Sequence, residues 1–210
     1  MRVIETKIYK YDELSDSAKQ SARDWYASDL GYDWWDCTYD DFARICEILG
    51  VELDTKVVTL MNGDTRRDPK IYFEGFSHQG SGSAFEGNYY YKKGAHKAIR
   101  QYAPIDEELH RIADTFLSLQ KRHFYSLTAS ISQGRYYSLS VDAQKTDFIN
   151  GGSDYVDADV DAELSDILQD LNGWLYSALE SQYEYLVSDE AVEESIIANE
   201  YEFTVDGTIH

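Results

Sequence analysis

The chain has 210 residues, of which 39 are Asp or Glu and 19 are Lys or Arg, so its formal net charge at pH 7 is −20. A hydrophobic fraction of 43% with only two prolines excludes an acidic disordered tail and suits one sizeable domain or two small fused ones. No apolar run reaches about 18 residues, which excludes a transmembrane helix, and the alternating polarity of the first seven residues is not typical of a signal peptide.

The first third of the chain alternates between strand and helix patterns. Alternating polarity predicts strands, and apolar residues three to four positions apart predict helices. In chain order, these patterns predict a strand at 2–10, helices at 15–30 and 33–49, and a strand at 51–60. Gly31 and Gly50 are typical of helix ends, and Asn62-Gly63 is typical of a turn.

The middle of the chain predicts two hairpins separated by two helices. The hairpins pair 70–77 with 85–91 and 124–132 with 136–142, and the helices cover 95–102 and 106–122. Pro104 separates the two helices because proline cannot continue a helical hydrogen-bond ladder.

The run Asn150-Gly151-Gly152-Ser153 is the best candidate boundary in the chain. Beyond it, Asp161 is predicted to cap a long helix. The apolar stripe of that helix consists of Leu164, Ile167, Leu168, Leu171, Leu175, Leu179 and Leu186. A helix at 189–198 and a strand at 202–208 follow.

Together these elements predict an α+β fold, with an antiparallel sheet of about six or seven strands and helices on one face. We expect residues 1–150 to form an α+β body and residues 151–210 to form an acidic helical segment packed on it.

Cys37 and Cys46 are the only cysteines in the sequence. They lie nine residues apart in a predicted helix, so their thiols point to opposite faces and cannot pair within it. A disulfide framework is therefore excluded, and we expect a cytoplasmic protein.

The negative charge is concentrated at the C-terminal end. The last basic residue is Lys145, and residues 146–210 contain 17 acidic residues and no basic one. Residues 51–150 are slightly positive, which argues against the uniformly spread acidity of a halophilic protein. Such a negative pole repels nucleic acid and attracts basic surfaces.

Carboxylates line one face of the predicted long helix. Glu163, Asp166 and Asp170 fall at i, i+3 and i+7, and neighbours at helical spacing lie about 5–6 Å apart, similar to phosphates along a nucleic-acid strand. The predicted partner-binding residues are Asp154, Asp157, Asp159, Glu163, Asp166, Asp170, Glu180, Glu184, Glu193 and Glu194. An ordinary solvated helix face is the alternative. It is weakened because these acids repel one another with no lysine nearby in the sequence to compensate them.

Metal and cofactor sites are not expected. The alternate aspartates from Asp154 to Asp161 could ligate calcium, but Ala162 and Leu168 occupy positions where an EF-hand requires Gly and Glu. No His or Cys pair has the spacing of a metal site.

The glycine-rich loop between the strands of the first hairpin is interpreted as a tight structural connection. It joins two strands and does not open a helix, which is unlike a phosphate-binding loop. His78 and Glu86 could form an acid–base pair, but no nucleophile accompanies them.

Three segments resemble a group of phage and prophage proteins of unassigned function. They are Ile71-Tyr-Phe-Glu-Gly-Phe-Ser-His-Gln-Gly-Ser-Gly-Ser-Ala-Phe-Glu-Gly87, Ala98-Ile-Arg and Asp106-Glu-Glu-Leu-His-Arg-Ile-Ala113. The resemblance implies an origin in a mobile element and, with it, an anti-CRISPR or antirestriction type of inhibitor. It does not cover the acidic C-terminal third.

The sequence therefore predicts a non-enzymatic, phage-type inhibitor that acts as a nucleic-acid mimic in the host cytoplasm. Its partner would be a basic nucleic-acid-binding protein or complex of the host, with no direct binding to nucleic acid or membrane and no cofactor. The alternative is an acidic antitoxin or immunity protein that neutralises a basic toxin. An enzyme using His78 and Glu86 is a third, weaker hypothesis.

Overall fold

A computed structural model describes residues 6–28, 30–31, 33–76, 80–147 and 152–210. The helices within these residues are α1 Asp16–Ser28, α2 Asp36–Leu49, α3 Ala95–Tyr102, α4 Glu107–Arg122, α5 Ala158–Leu186 and α6 Asp189–Ala198. The strands are β1 Tyr9–Lys10, β2 Val51–Leu53, β3 Thr55–Thr59, β4 Thr65–Pro69, β5 Ile71–Phe73, β6 Ser83–Phe85, β7 Gly87–Tyr90, β8 Leu127–Gln133, β9 Leu139–Asp147, β10 Gly152–Tyr155 and β11 Glu202–Phe203. The predicted α+β class is confirmed.

The main sheet is antiparallel, with the strand order β10-β9-β8-β7-β2. Other strands form the two-stranded ribbons β1–β11, β3–β4 and β5–β6. The sheet has five strands, fewer than the six or seven expected, because the predicted strand at 51–60 is divided at Asp54. The Asp54 N–H donates to the carbonyl of Glu86, and its own carbonyl accepts from Lys70, so β3 leaves the sheet and pairs with β4.

The chain folds into two compact units, which do not follow the expected boundary at residue 150. Unit 1 comprises Met1–Asp36 and Leu179–His210, and unit 2 comprises Cys37–Ala178. The terminal segments fold together because β1 pairs with β11 and α1 packs with α6 in one apolar core.

The core of unit 1 consists of Tyr11, Leu14, Ala18, Ala22, Val192, Ile196 and Phe203. The Trp25 ring packs edge-on against Phe203, with 6.0 Å between centroids. The predicted strand at 202–208 ends after two residues because Thr204 and Thr208 close a turn through Gly207. Gly207 has φ +85°, and a Cβ there would lie 2.1 Å from the carbonyl oxygen of Ala18, so the position requires glycine.

The apolar stripe of α5 is confirmed. Its buried side chains are Leu164, Ile167, Leu168, Leu171, Leu175 and Leu179, whereas Leu186 is partly exposed. In unit 2, Asn172 interrupts the stripe at a buried position, where its amide donates to the carbonyl of Ser83 at 2.8 Å and accepts from the Ser83 hydroxyl at 3.1 Å. This pair ties α5 to β6.

The predicted cap of α5 is wrong. The helix begins at Ala158, and the carbonyl of Asp157 accepts the first helical N–H groups. Asp161 instead accepts a hydrogen bond from the backbone N–H of Ala143 in β9, at 2.9 Å. A side chain that reaches across to the sheet cannot be distinguished by sequence from one that caps its own helix.

Candidate acidic interface

The ten predicted partner-binding carboxylates are divided between the two units. Unit 2 holds Asp154, Asp157, Asp159, Glu163, Asp166 and Asp170, and unit 1 holds Glu180, Glu184, Glu193 and Glu194.

The acidic face of α5 in unit 2 is partly neutralised. Arg111 in α4 donates to Asp170 at 2.8 Å, and Arg122 donates to Glu163. Arg111 also donates to Glu108 at 2.6 Å, which lowers the pKa of that carboxyl. The expectation that these carboxylates have no compensating cation is therefore wrong for two of the three residues on this face.

Asp166 is the member of this face that stays exposed without a charge partner among the residues that the structure describes. It lies between the two ion-paired carboxylates, since Glu163 and Asp170 are three positions before it and four after it. The face therefore presents one free carboxylate flanked by two half-exposed pairs, which is a weak imitation of a phosphate row.

The aspartates near the start of α5 have local structural roles as well. Asp157 and Asp159 lie at the N-terminal end of the helix, where negative charge interacts favourably with the helix dipole. Asp154 in β10 lies opposite Lys145 in β9. Within the described ranges, no three His, Cys, Asp or Glu side chains are grouped in a way that could hold a metal ion.

The charge is denser in unit 1. Its 68 residues carry 17 acidic and five basic side chains, a net of −12, whereas the 142 residues of unit 2 carry 22 and 14, a net of −8. We define the C-terminal acidic surface as the carboxylates on the last turns of α5 and the first turns of α6. These are Glu180, Glu184, Asp189, Glu190, Glu193 and Glu194.

Only one of these six carboxylates has an ion-pairing partner among the residues described. Asp189 lies 3.5 Å from Nε of Arg23, whose other nitrogens donate to Tyr11 and Gln20. Five of the six are exposed, and Glu193 is half-buried. Glu180, Glu184, Glu190 and Glu194 therefore keep solvated charge without an ion pair among the described residues, whereas Asp189 and Glu193 both interact with Arg23.

Aromatic side chains accompany this surface. The ring of Trp34 contacts Tyr183 at 5.6 Å and Trp35 at 5.5 Å between centroids. Tyr185 is 62% exposed and lies next to Glu184. The sequence predictions did not include these residues, because only the carboxylates of this segment were considered as partner-binding groups. The signal was present in Tyr183-Glu184-Tyr185, where aromatic and acidic residues alternate at the end of a helix.

The strands on either side of the glycine-rich loop belong to the packed part of unit 2. His78 lies outside the described residues, so the proposed His78–Glu86 pair has no geometry to report. Glu86 accepts from Lys70 Nζ at 2.7 Å, a hydrogen bond that lowers the pKa of the carboxyl. Phe85 is fully buried, and the ring of Phe73 contacts that of Phe76 at 4.8 Å between centroids.

Two further findings bear on the class of protein. None of the helices in the described part of the chain is long and apolar enough to span a bilayer. No curated protein and no solved structure matches the chain.

One family model does match, over residues 34–189, and it is described as a domain of unknown function, DUF8835. The match covers most of the chain, including all of unit 2 and the carboxylates up to Asp189. The chain therefore belongs to the DUF8835 family.

Proposed function

We propose that this protein is a non-catalytic inhibitor of phage type that binds a basic nucleic-acid-binding protein of the host. Its C-terminal acidic surface occupies the channel or groove that nucleic acid would fill. It acts in the host cytoplasm.

The observation that carries the proposal is the uncompensated charge of the C-terminal acidic surface. Five of its six carboxylates have no ion pair among the described residues, since Arg23 pairs with Asp189 and Lys10 pairs with Glu202. Glu180 and Glu184 lie four positions apart on α5, where like charges destabilise a helix, whereas Asp189 and Glu190 lie in the first turn of α6 and interact favourably with its dipole. A surface of this kind gains free energy when a partner supplies the missing cations.

The neighbouring aromatics support a protein partner. Tyr and Trp are enriched among the residues that dominate binding energy at protein interfaces, and Tyr185 is exposed beside Glu184. In this arrangement the carboxylates accelerate association through long-range attraction, and the rings supply desolvated contact area.

The experiment captures the partner and then neutralises the surface without changing its shape. The tagged protein is used to isolate its partner from a host lysate, with elution on a salt gradient, and the purified pair is then titrated. Glu180→Gln with Glu184→Gln should weaken binding by about tenfold or more, since charge pairs lost at an interface cost about 2–5 kcal/mol when desolvated.

The matched control is Glu52→Gln with Glu107→Gln, which removes the same charge from exposed positions in unit 2. This control should bind like the wild type. Equal weakening by both variants would show that net charge alone acts, and the proposed footprint would be rejected. Neutralisation of a small toxin encoded beside this chain, with no competition from nucleic acid, would favour the antitoxin alternative.

A further inference from the structure

The α3–α4 helical hairpin of unit 2 carries a charge opposite to that of the C-terminal acidic surface. Arg100 in α3 donates to Asp114 in α4 at 2.7 Å, which aligns the two helices. Lys97 lies about one turn before Arg100, and Lys121 lies about two turns after Asp114. Because the helices run antiparallel, both lysines and Lys93 lie toward the same end of the hairpin.

These three lysines are exposed, and none forms an ion pair or a side-chain hydrogen bond within the described part of unit 2. The ring of Tyr125, which follows α4, contacts that of Tyr91 at 4.6 Å, so the turn after α4 lies beside the segment that leads to Lys93. A positive patch and an aromatic turn therefore adjoin.

The aromatic turn is held in an unfavourable backbone conformation. Phe124 and Tyr125 have φ of 55° and 60°, a region that bulky side chains rarely occupy. Phe124 is 81% exposed, so its ring adds almost nothing to the core. Strained, exposed aromatics of this kind are typical of binding sites.

Gln120 is the residue that fixes this turn. Its buried side chain donates to the carbonyl of Leu127 at 2.8 Å and accepts from the Leu127 N–H at 3.2 Å. The carbonyl of Gln120 also accepts from the backbone N–H of Tyr125 at 2.7 Å. These bonds fix the backbone that follows Phe124, which reduces the conformational entropy that the turn would lose when a partner covers it.

We propose that Lys93, Lys97, Lys121, Phe124 and Tyr125, here called the basic-aromatic surface, bind the C-terminal acidic surface of a second copy of this chain. Charge complementarity selects this occupant, since one surface has free lysines and the other has free carboxylates. A nucleic acid is negative along its whole length and would be repelled by the rest of a chain with net charge −20. A second copy presents its densest negative charge in one unit only.

The contact joins two different surfaces, so a pair of copies keeps one basic-aromatic surface and one acidic surface unoccupied. Such heterologous association closes into a ring or continues as an open chain, and its extent rises with concentration. It also covers the surface that the proposed function assigns to the host partner. Self-association and host binding therefore compete, and this consequence rests on the proposed function.

The test is sedimentation velocity over a concentration series at ~0.1 M and ~1 M salt, where the Debye length falls from about 10 Å to about 3 Å. At the lower salt the mass of the wild type should rise above 24.2 kDa with concentration, and at the higher salt it should stay near that value. Lys93→Glu with Lys121→Glu should raise the apparent dissociation constant of self-association at least about tenfold, and Phe124→Ser should raise it by a similar factor.

The control is Lys56→Glu with Arg67→Glu, which makes the same charge change in the β3–β4 ribbon and should associate like the wild type. Wild-type protein that stays monomeric throughout would overturn the proposal. The proposal would also be overturned if the wild type bound a labelled oligothymidylate and the Lys93→Glu, Lys121→Glu variant did not. The surface would then be a nucleic-acid site. That variant should bind the host partner at least as tightly as the wild type, because the competing self-association is removed, so failure of this inference is distinguishable from failure of the proposed function.

Discussion

Charge reversal on the acidic face of α5 should destabilise the fold at the ion-paired carboxylates and should not do so at the unpaired one. Glu163 pairs with Arg122, and Asp170 pairs with Arg111, whereas Asp166 has no such partner among the residues described. Reversing both paired residues to Lys removes two attractions and places two lysines beside two arginines.

The magnitude follows from the exposure of these pairs. Their side chains are 41–54% exposed, so each pair contributes about 0.2–1 kcal/mol, and each new repulsion costs about 0.2–0.5 kcal/mol. The double reversal should therefore lower the free energy of unfolding by about 1–3 kcal/mol. Because a chain of this size loses about 3 °C in Tm per kcal/mol, the expected decrease is about 3–9 °C.

Asp166→Lys is the matched comparison, because it changes the same face without breaking a pair. It should leave Tm within about 1 °C or raise it slightly, since repulsion from the neighbouring carboxylates is relieved. Urea and thermal unfolding of both variants at low and high salt measure the difference, which should shrink as salt rises. A double reversal as stable as Asp166→Lys at low salt would show that these ion pairs contribute nothing and would refute this reasoning.

Three other substitutions test the fold itself. Gly207→Ala should destabilise the protein by at least about 2 kcal/mol in urea unfolding, because its methyl group would meet a backbone carbonyl of α1 at a positive φ; a wild-type midpoint would contradict the described turn. Asn172→Leu should cost about 1–3 kcal/mol, because the Ser83 carbonyl loses the Asn172 amide, whereas the Ser83 hydroxyl keeps the backbone carbonyl of Asn172 as an acceptor; hydrogen exchange at β6 should rise with it. Glu86→Gln should destabilise the protein at neutral pH, because the hydrogen bond from Lys70 lowers the pKa of Glu86 and so favours the folded state. That stabilisation is present above the unfolded carboxyl pKa of about 4.3 and is lost as pH falls through the folded pKa, so the two proteins should converge in acid.

The fold class and most helices could be predicted from periodicity. The helix at 95–102 matches α3, and Asp106 caps α4 by accepting from the Leu109 N–H at 2.9 Å. Such local signals act within a few residues of each other, which is why sequence alone contains them. The buried leucines of α5 are predictable for the same reason.

The sequence predictions that were wrong concern contacts between segments that lie far apart in the sequence. The pairing of β1 with β11 places both termini in one unit, and no local pattern contains a contact between Tyr9 and Phe203. The ion pairs of Glu163 and Asp170 come from arginines in another helix, about 40 and 60 positions away in sequence, so they could not be anticipated. The predicted strand at 124–132 included Phe124, which instead lies in an exposed turn. The buried Gln120 imposes the backbone conformation of that turn, and no local pattern contains this contact.

The central claim is that the C-terminal acidic surface takes the place of nucleic acid on a basic host protein. The direct measurement is displacement of labelled nucleic acid from the captured partner, followed by fluorescence polarisation as this protein is added. The wild type should displace the nucleic acid completely, and Glu180→Gln with Glu184→Gln should require about tenfold more protein. A stable ternary complex, in which partner, nucleic acid and this protein bind together without displacement, would contradict the claim.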